Sequence, residues 1–318
     1  MATSVLHVSS FRIDLAPLGT ARTSRVLVMN DVAAVIPVFR PDESALLALL
    51  DNLSTAGISV LVTDDASPCT SDRALRAVAD LGISVVRHPR NAGIARGLNE
   101  GLAFAREQGA TWLLTVDQDS TLPAGYVEAL LAASPADSGL WSEPSALRPG
   151  VIGAGVIGDA SGDLSYPTHS EQGFSVTEEV FQTGSLWSVA ALTEVGGFDE
   201  RLGIDGVDSG ACLALRKAGY SVIVAPDVRL AHTLGTQARS VRILGREVVS
   251  TGHSPERRES MVRNRLRLAP GEFAESPTHA FRTLRRLAMN TALAVTVEDD
   301  RWAKAKGSVR GLFPRGSR

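Results

Sequence analysis

A chain of 318 residues, 44% of them hydrophobic, is long enough to bury one large core or two modest ones. A formal charge of −3 argues against a dedicated nucleic-acid binder, which needs a strongly basic surface to meet phosphates.

Residues 1–30 show weak periodicity: a short extra strand, a disordered arm or an artefact of start-codon choice, Met29 standing just before the first strand. Val32 to Val38 is a short apolar run, the mark of a strand buried on both faces of a parallel sheet. Pro41 breaks it, Glu43 to Thr55 reads as a Leu/Ala-rich helix, and Gly57 closes that helix. The same alternation follows: strand Ile58–Thr63, helix Ser71–Leu81, strand Ile83–Arg87, helix Ala92–Gln108, strand Thr111–Val116. Successive β-α units predict an α/β fold with a mostly parallel sheet and helices on both faces. Pro135 to Gly150 reads as a loop, Val151–Ile157 as a strand, and Gly158–Gly173 as polar and turn-rich. Then come a strand at Gly184–Val189, a short helix to Val195, a helix at Asp205–Ala218, and a strand at Ser221–Ala225. From Pro255 the chain turns helical, and Arg282–Val297 pairs a basic face with an apolar one carrying Phe281, Leu284, Leu287, Ala288 and Ala292.

No stretch has the length and apolarity of a membrane span, and the first residues lack the apolar run of a secretory signal. Cys69 and Cys212 could form one disulfide, but two free thiols in a reducing cytosol is the preferred reading. Charge is uneven: residues 229–318 hold 18 Lys and Arg against 8 Asp and Glu. Such a basic tail suits a solvated helical face, an anionic membrane surface or a phosphorylated substrate.

Ligands of a parallel sheet sit beyond the carboxyl ends of its strands. Two acidic clusters fall at such ends, Asp64-Asp65 and Asp117/Asp119. Either alone could be a turn. Together they face one crevice. Two carboxylates one residue apart can hold a hard divalent cation through oxygen, and such a cation helps a diphosphate leave. No G-x-G-x-x-G follows the first strand and no P-loop is present, which disfavours a dinucleotide dehydrogenase and a P-loop enzyme.

The ordered set PVF, DDAS, NAGIARGLNEGL, DQDS, FQTGSLWS, GGFDERLGIDGVD and a later His, from Val32 to about Arg267, resembles the family 2 inverting glycosyltransferases of the GT-A fold. Within them, DQDS followed by GGFDE-x-L-x-ID-x-VD is similar to bacterial rhamnosyltransferases that use dTDP-L-rhamnose. The resemblance implies a GT-A domain over 31–235, with a donor half to 122 and an acceptor half from 123, and a basic helical C-terminal region over 236–318. It implies that Pro37 and Phe39 line the nucleotide floor, that Asp64 and Asp65 contact base and ribose, and that Asn91, Gly93 and Asn99 close over the nucleotide. Asp117 would lie near ribose and metal, Asp119 would be the principal ligand of magnesium or manganese, and His232 would join the metal or pyrophosphate.

An inverting transfer needs a carboxylate to accept the acceptor's proton. The resemblance favours Asp208, with Asp205 second, and makes Asp199 largely structural. Thr183, Gly184, Ser185 and Trp187 would shape the acceptor pocket, and Arg258 and Arg263 would clamp diphosphate oxygens. The chain departs from the pattern after the base: Gly210 and Ala214 are small where related chains carry an acid and an arginine, and Arg216 is out of register. The implied partners are a nucleotide sugar and a glycan or polyprenyl-linked acceptor, with peripheral contact at the inner leaflet of a cytoplasmic membrane face. Galactofuranosyl, mannosyl and glucosyl donors, and a non-catalytic binding protein, are the alternatives.

Overall fold

A computed structural model describes residues 31–134, 147–159, 162–232, 239–243, 246–250 and 252–313. The N-terminal extension and most of the expected loop at 135–150 lie outside the described residues. The first part of the chain consists of β1 (Val32–Val38), α1 (Glu43–Thr55), β2 (Ser59–Asp64), α2 (Asp72–Asp80), β3 (Ser84–Arg87), α3 (Ile94–Glu107) and β4 (Trp112–Thr115). Asp42 caps α1 by accepting the Ala45 N–H at 2.9 Å, which is why the helix begins directly after the loop that leaves β1. The four strands are mutually parallel, with β1 between β2 and β4. Helix α3 lies close on this sheet because Gly97 and Gly101 face it. A Cβ on Gly101 would stand 2.4 Å from the Val35 side chain, so no larger residue fits without moving the helix.

Beyond it run α4 (Tyr126–Ala132), β5 (Pro149–Asp159), β6 (Gly162–Ser165), β7 (His169–Glu171), β8 (Phe174–Thr177), β9 (Ser185–Ser188), α5 (Val189–Glu194), α6 (Val207–Lys217) and β10 (Ser221–Ala231). Sheet order is β3-β2-β1-β4-β9-β5-β10-β8-β7, with β6 paired to β5. β9 runs antiparallel between β4 and β5, while β10 is parallel to β5, so the sheet is mixed: parallel through β3-β2-β1-β4 and at β5-β10, antiparallel at its other pairings. Buried side chains fill both faces: Leu46, Leu50, Leu114 and Leu130 on one, Leu98, Leu113, Trp187 and Phe198 on the other.

One strand runs further than its sequence pattern predicts. Pro226 cannot donate to a ladder, and the expected strand stops at Ala225. The chain instead bulges over 226–228 and rejoins β5 at Arg229↔Val156, carrying the strand to Ala231. The polar run at Gly158–Gly173 holds two short antiparallel strands, because turn residues bound them too closely for any periodicity to show.

A two-stranded ribbon, β11 (Arg239–Ile243) and β12 (Arg246–Ser250), precedes α7 (Pro255–Glu275), α8 (Pro277–Val297) and α9 (Arg301–Leu312). The Asn264 amide of α7 donates to the carbonyls of Leu202 and Asp205 at 2.6 and 2.8 Å, and Leu268 enters the core shared with α6. The helical region is therefore anchored on the loop that leads into α6. Among the described residues no helix is long and apolar enough to cross a membrane.

Candidate active site

The carboxyl ends of β1, β2, β4 and β10 and the approach to β9 meet at one edge of the sheet. Phe39, just past β1, is exposed. Its backbone N–H donates to the Gln118 side chain at 2.9 Å, and the Gln118 amide returns a bond to the Phe39 carbonyl at 3.1 Å. Sequence reasoning gave Gln118 no role; its signal was only its place between the two aspartates. Pro37 pairs with Thr63 in the ladder beside it.

Several expected nucleotide contacts prove to hold loops instead. The Asp64 side chain is fully buried, accepts the Ser67 N–H, and pairs with Arg87 Nε at 3.0 Å, so it has no free face for a base. Asp65 accepts the N–H groups of Ala92 and Gly93 at 2.6 and 3.0 Å and meets His88 Nδ1 at 3.1 Å, fixing the turn into α3. Burial would lower the His88 pKa, but its hydrogen bonds to Glu100 and Asp65 raise it. Asn91 sits exposed on this turn, its amide 3.4 Å from the Asp65 carbonyl. Gly93 has φ +88° and touches Gly203: an added Cβ would lie 2.8 Å from the Gly203 Cα. Asn99 clamps the Phe198 backbone through both amide atoms, at 2.8 and 2.9 Å, and is committed to the GGFDE turn.

Asp117, Asp119 and His232 converge, offering one ligand atom each within 4.8 Å of one another. The mixed oxygen and nitrogen donors suit a small divalent cation and leave positions open for phosphate oxygens. The Asp117 backbone N–H donates to Thr183 Oγ at 2.9 Å, and its carboxylate accepts from Gln182. Burial pushes the Asp117 carboxyl up to about 6; His232 opposes the rise and Asp119 adds to it. Ser120 Oγ lies 3.0 Å from His232 Nδ1 and 2.8 Å from the Thr183 hydroxyl. Thr183 and Ser120 thus orient the cluster, and the buried Gln182 Oε1 beside it has no protein partner. His232 arrives there because β10 continues to Ala231, whose carbonyl accepts the Thr121 N–H at 3.0 Å.

Asp208 lies in the first turn of α6, half-buried, and accepts the Ser209 N–H at 2.8 Å. Burial raises its pKa to about 6, the charge of Glu179 adds to this, and Arg265 opposes it. Asp205 is raised by burial too, but Arg257 Nε pairs with it at 3.1 Å. Of the two, Asp208 is the carboxylate without a cation in contact among the described residues. The guanidinium near Asp208 comes not from α6 but from α7: Arg265 reaches Ser209 Oγ at 3.3 Å and Glu272 at 2.9 Å. Gly210 has a packing reason, since a Cβ there would lie 2.8 Å from the Leu202 side chain. Asp199 caps its own turn and pairs with Arg201, a structural role.

Five residues expected to line the acceptor pocket or clamp the diphosphate have other surroundings. Trp187 is wholly buried, donates to Thr115 Oγ at 2.9 Å and packs edge-on to Phe198, so it is core rather than a sugar platform. Ser185 is buried and donates to the Phe181 carbonyl; Gly184, at φ +70°, packs against Tyr126. Arg258 is buried among the C-terminal helices, paired with Glu298 at 3.0 Å and the Asn290 carbonyl at 3.0 Å. Arg263 pairs along its own helix with Glu259 at 3.4 Å. Replacing Arg258 by Ala is expected to destabilise the fold by about 3 kcal/mol, by removing the guanidinium paired with the buried Glu298. A urea-unfolding midpoint reads this, and donor KM should not change.

Residues 33–137 match the family model described as Glycosyl transferase family 2. The chain is 27% identical over 249 residues to the dTDP-rhamnosyl transferase RfbF of Shigella flexneri, covering 74% of this chain and 78% of that one. It is 30% identical over 222 residues to the pre-mycofactocin glycosyltransferase of Mycobacterium tuberculosis, covering 66% of this chain but only 44% of that longer protein. Among solved structures it is similar to residues 1–349 of S. aureus TarS in complex with UDP, at TM-score 0.53 and 16% identity over 85% of this chain and 76% of that one. It is also similar to GalNAc-T7 with UDP, GalNAc and Mn2+, at TM-score 0.52 and 14% identity over 73% of this chain and 47% of that one. These two show the fold.

Proposed function

We propose, from the premise that this chain belongs to the family 2 glycosyltransferases and has the GT-A fold, that it moves L-rhamnose from dTDP-rhamnose to a hydroxyl of a cell-surface glycan or its lipid-linked precursor, on the cytoplasmic side. The observation that carries this reading is the convergence of Asp117, Asp119 and His232 at the sheet edge where the parallel strands end. Asp117, Asp119 and His232 would hold magnesium or manganese, which when bound neutralises the departing nucleoside diphosphate.

The chain's own groups supply the rest. Phe39 and Gln118 would form the rim on which the nucleotide rests, the buried Thr183 and Ser120 hold the cluster in register, and Arg257 pairs with Asp205. Asp208 accepts the proton of the acceptor hydroxyl as that oxygen attacks the anomeric carbon and the bond to the diphosphate breaks, which inverts the centre. The rhamnose assignment is supported by DQDS and by the Shigella relative. The mycobacterial relative keeps another sugar open as the second reading.

The test is release of nucleoside diphosphate from dTDP-rhamnose, UDP-galactofuranose, GDP-mannose and UDP-glucose, with and without Mg2+ or Mn2+. We expect metal-dependent turnover of dTDP-rhamnose at least about tenfold above the others, since discrimination by a few pocket contacts is worth one to three kcal/mol. Faster turnover of another donor would keep the mechanism and sink the rhamnose assignment.

A further inference from the structure

Helix α9 is amphipathic in the reverse of the usual sense. Its inward positions are Lys304, Gly307, Ser308 and Gly311, all buried. The two glycines let it press against α7: a Cβ on Gly307 would lie 2.2 Å from the Pro255 carbonyl oxygen, and one on Gly311 2.6 Å from that of Glu259. Lys304 is held by Glu298 at 2.7 Å. The large apolar residues therefore have nowhere to go but out. Trp302 and Val309, seven residues apart, share one face of the helix, and Phe313 follows at its C-cap; they are 76%, 53% and 69% exposed, and Leu312 beside them is 53% exposed. Arg301, Lys306 and Arg310 are exposed on the same helix, while the acids of this stretch, Asp299 and Asp300, stand at its amino end.

We propose that this face of α9 docks on an anionic phospholipid bilayer, Trp302, Val309 and Phe313 entering the boundary between headgroups and acyl chains while Lys306 and Arg310 meet lipid phosphates. An aromatic and aliphatic stripe edged by cations is the composition that lies in such an interface. A second copy of the chain fits it less well: pairing the same face across a two-fold axis sets Lys306 and Arg310 of one copy against those of the other. The helix is too short to span, so the contact is peripheral. This surface is independent of the transfer chemistry, and its test does not depend on the donor.

The experiment is co-sedimentation of the full chain with vesicles of phosphatidylcholine containing 30% phosphatidylglycerol (roughly the anionic fraction that gives a strong surface potential), against pure phosphatidylcholine. Binding to the anionic vesicles is expected. Trp302→Ser with Val309→Ser should weaken it at least about tenfold, and Lys306→Glu with Arg310→Glu should weaken it by a further comparable factor and remove its salt sensitivity. All four positions are exposed, so the urea midpoint should not move. No vesicle binding by the full chain, or binding that the substitutions leave intact, overturns the proposal. So does a concentration-dependent dimer in sedimentation velocity that Trp302→Ser abolishes, since a second copy would then occupy the face.

Discussion

Replacing Asp208 by Asn is expected to lower kcat by about 10²–10⁴, the range that a positioned general base contributes, and at the same time to stabilise the fold at alkaline pH. Both effects follow from one environment. Burial raises the Asp208 pKa to about 6, well above the usual carboxylate range, and the charge of Glu179 adds to the rise. A base must be unprotonated to act, so turnover should fall about tenfold per pH unit below 6 and level off above it. The stability effect has the opposite sense. The native state binds this proton more tightly than the unfolded chain, so the ionised side chain destabilises the fold above pH 6. That penalty fades as pH falls through 6 and is gone below about 4. Discounted for partial exposure, it amounts to about 1–2 kcal/mol. Asp208→Asn should therefore unfold at higher urea than the parent at pH 8 and at equal urea at pH 4. Single-turnover kinetics across pH 5–9 and urea melts at the two pH values check it. Retained turnover in the variant would move the base to Asp205, which Arg257 already neutralises.

That pairing illustrates what the sequence could and could not convey. Patterns with a local cause were legible: the apolar run Val32–Val38 is β1 to the residue, and Glu43–Thr55 is α1 to the residue, because Pro41 and the Asp42 cap act within a few positions. The edge at which chemistry gathers was legible too, since parallel strands deliver their carboxyl ends to one side. What a carboxylate does there was not. Asp64 and Asp119 look alike in sequence, both acids just past a strand, yet one is sealed by Arg87 from another strand and the other is half-exposed beside His232. The deciding partner is 23 residues away in the first case and more than a hundred in the second. Trp187 and Asn99 were misplaced for the same reason: their partners, Phe198 and Thr115, come from remote turns and strands.

The strand β10 shows the point at its strongest. Pro226 reads as a terminator, and by itself it is one. The ladder survives because Gly155 on β5 leaves room for the bulge: a Cβ there would lie 2.5 Å from the Pro226 carbonyl oxygen. A glycine and a proline 71 residues apart thus decide that His232 reaches the aspartates at all. The C-terminal helices repeat the lesson. Amphipathic periodicity singles out Arg282–Val297, but α9 conceals its exposed stripe behind an inner face of glycines that no periodicity analysis weighs as core.

Removing the Asp119 carboxylate is expected to separate metal binding from folding. Its side chain is 55% exposed and lies 3.6 Å from His232 Nδ1, whereas Asp117 beside it is held by Gln182 and by the Thr183 hydroxyl at its own N–H. Asp119→Ala should therefore change the urea midpoint by no more than about 0.5 kcal/mol, as surface substitutions do. Loss of a direct ligand from a set of three, with Asp117 and His232 left, should weaken Mn2+ binding and lower kcat/KM for the donor by about a hundredfold or more, since a bound cation contributes several kcal/mol at the departing diphosphate. Titration of Mn2+ by calorimetry reads the first effect without any sugar present, and donor turnover at rising Mn2+ reads the second, which excess metal should partly restore. If Asp119→Ala bound Mn2+ as tightly as the parent protein, the ligand set drawn from Asp117, Asp119 and His232 would be wrong. A chelator that left turnover of the parent protein intact would go further and assign the charge on the diphosphate to Arg257, the guanidinium whose field already reaches Asp117.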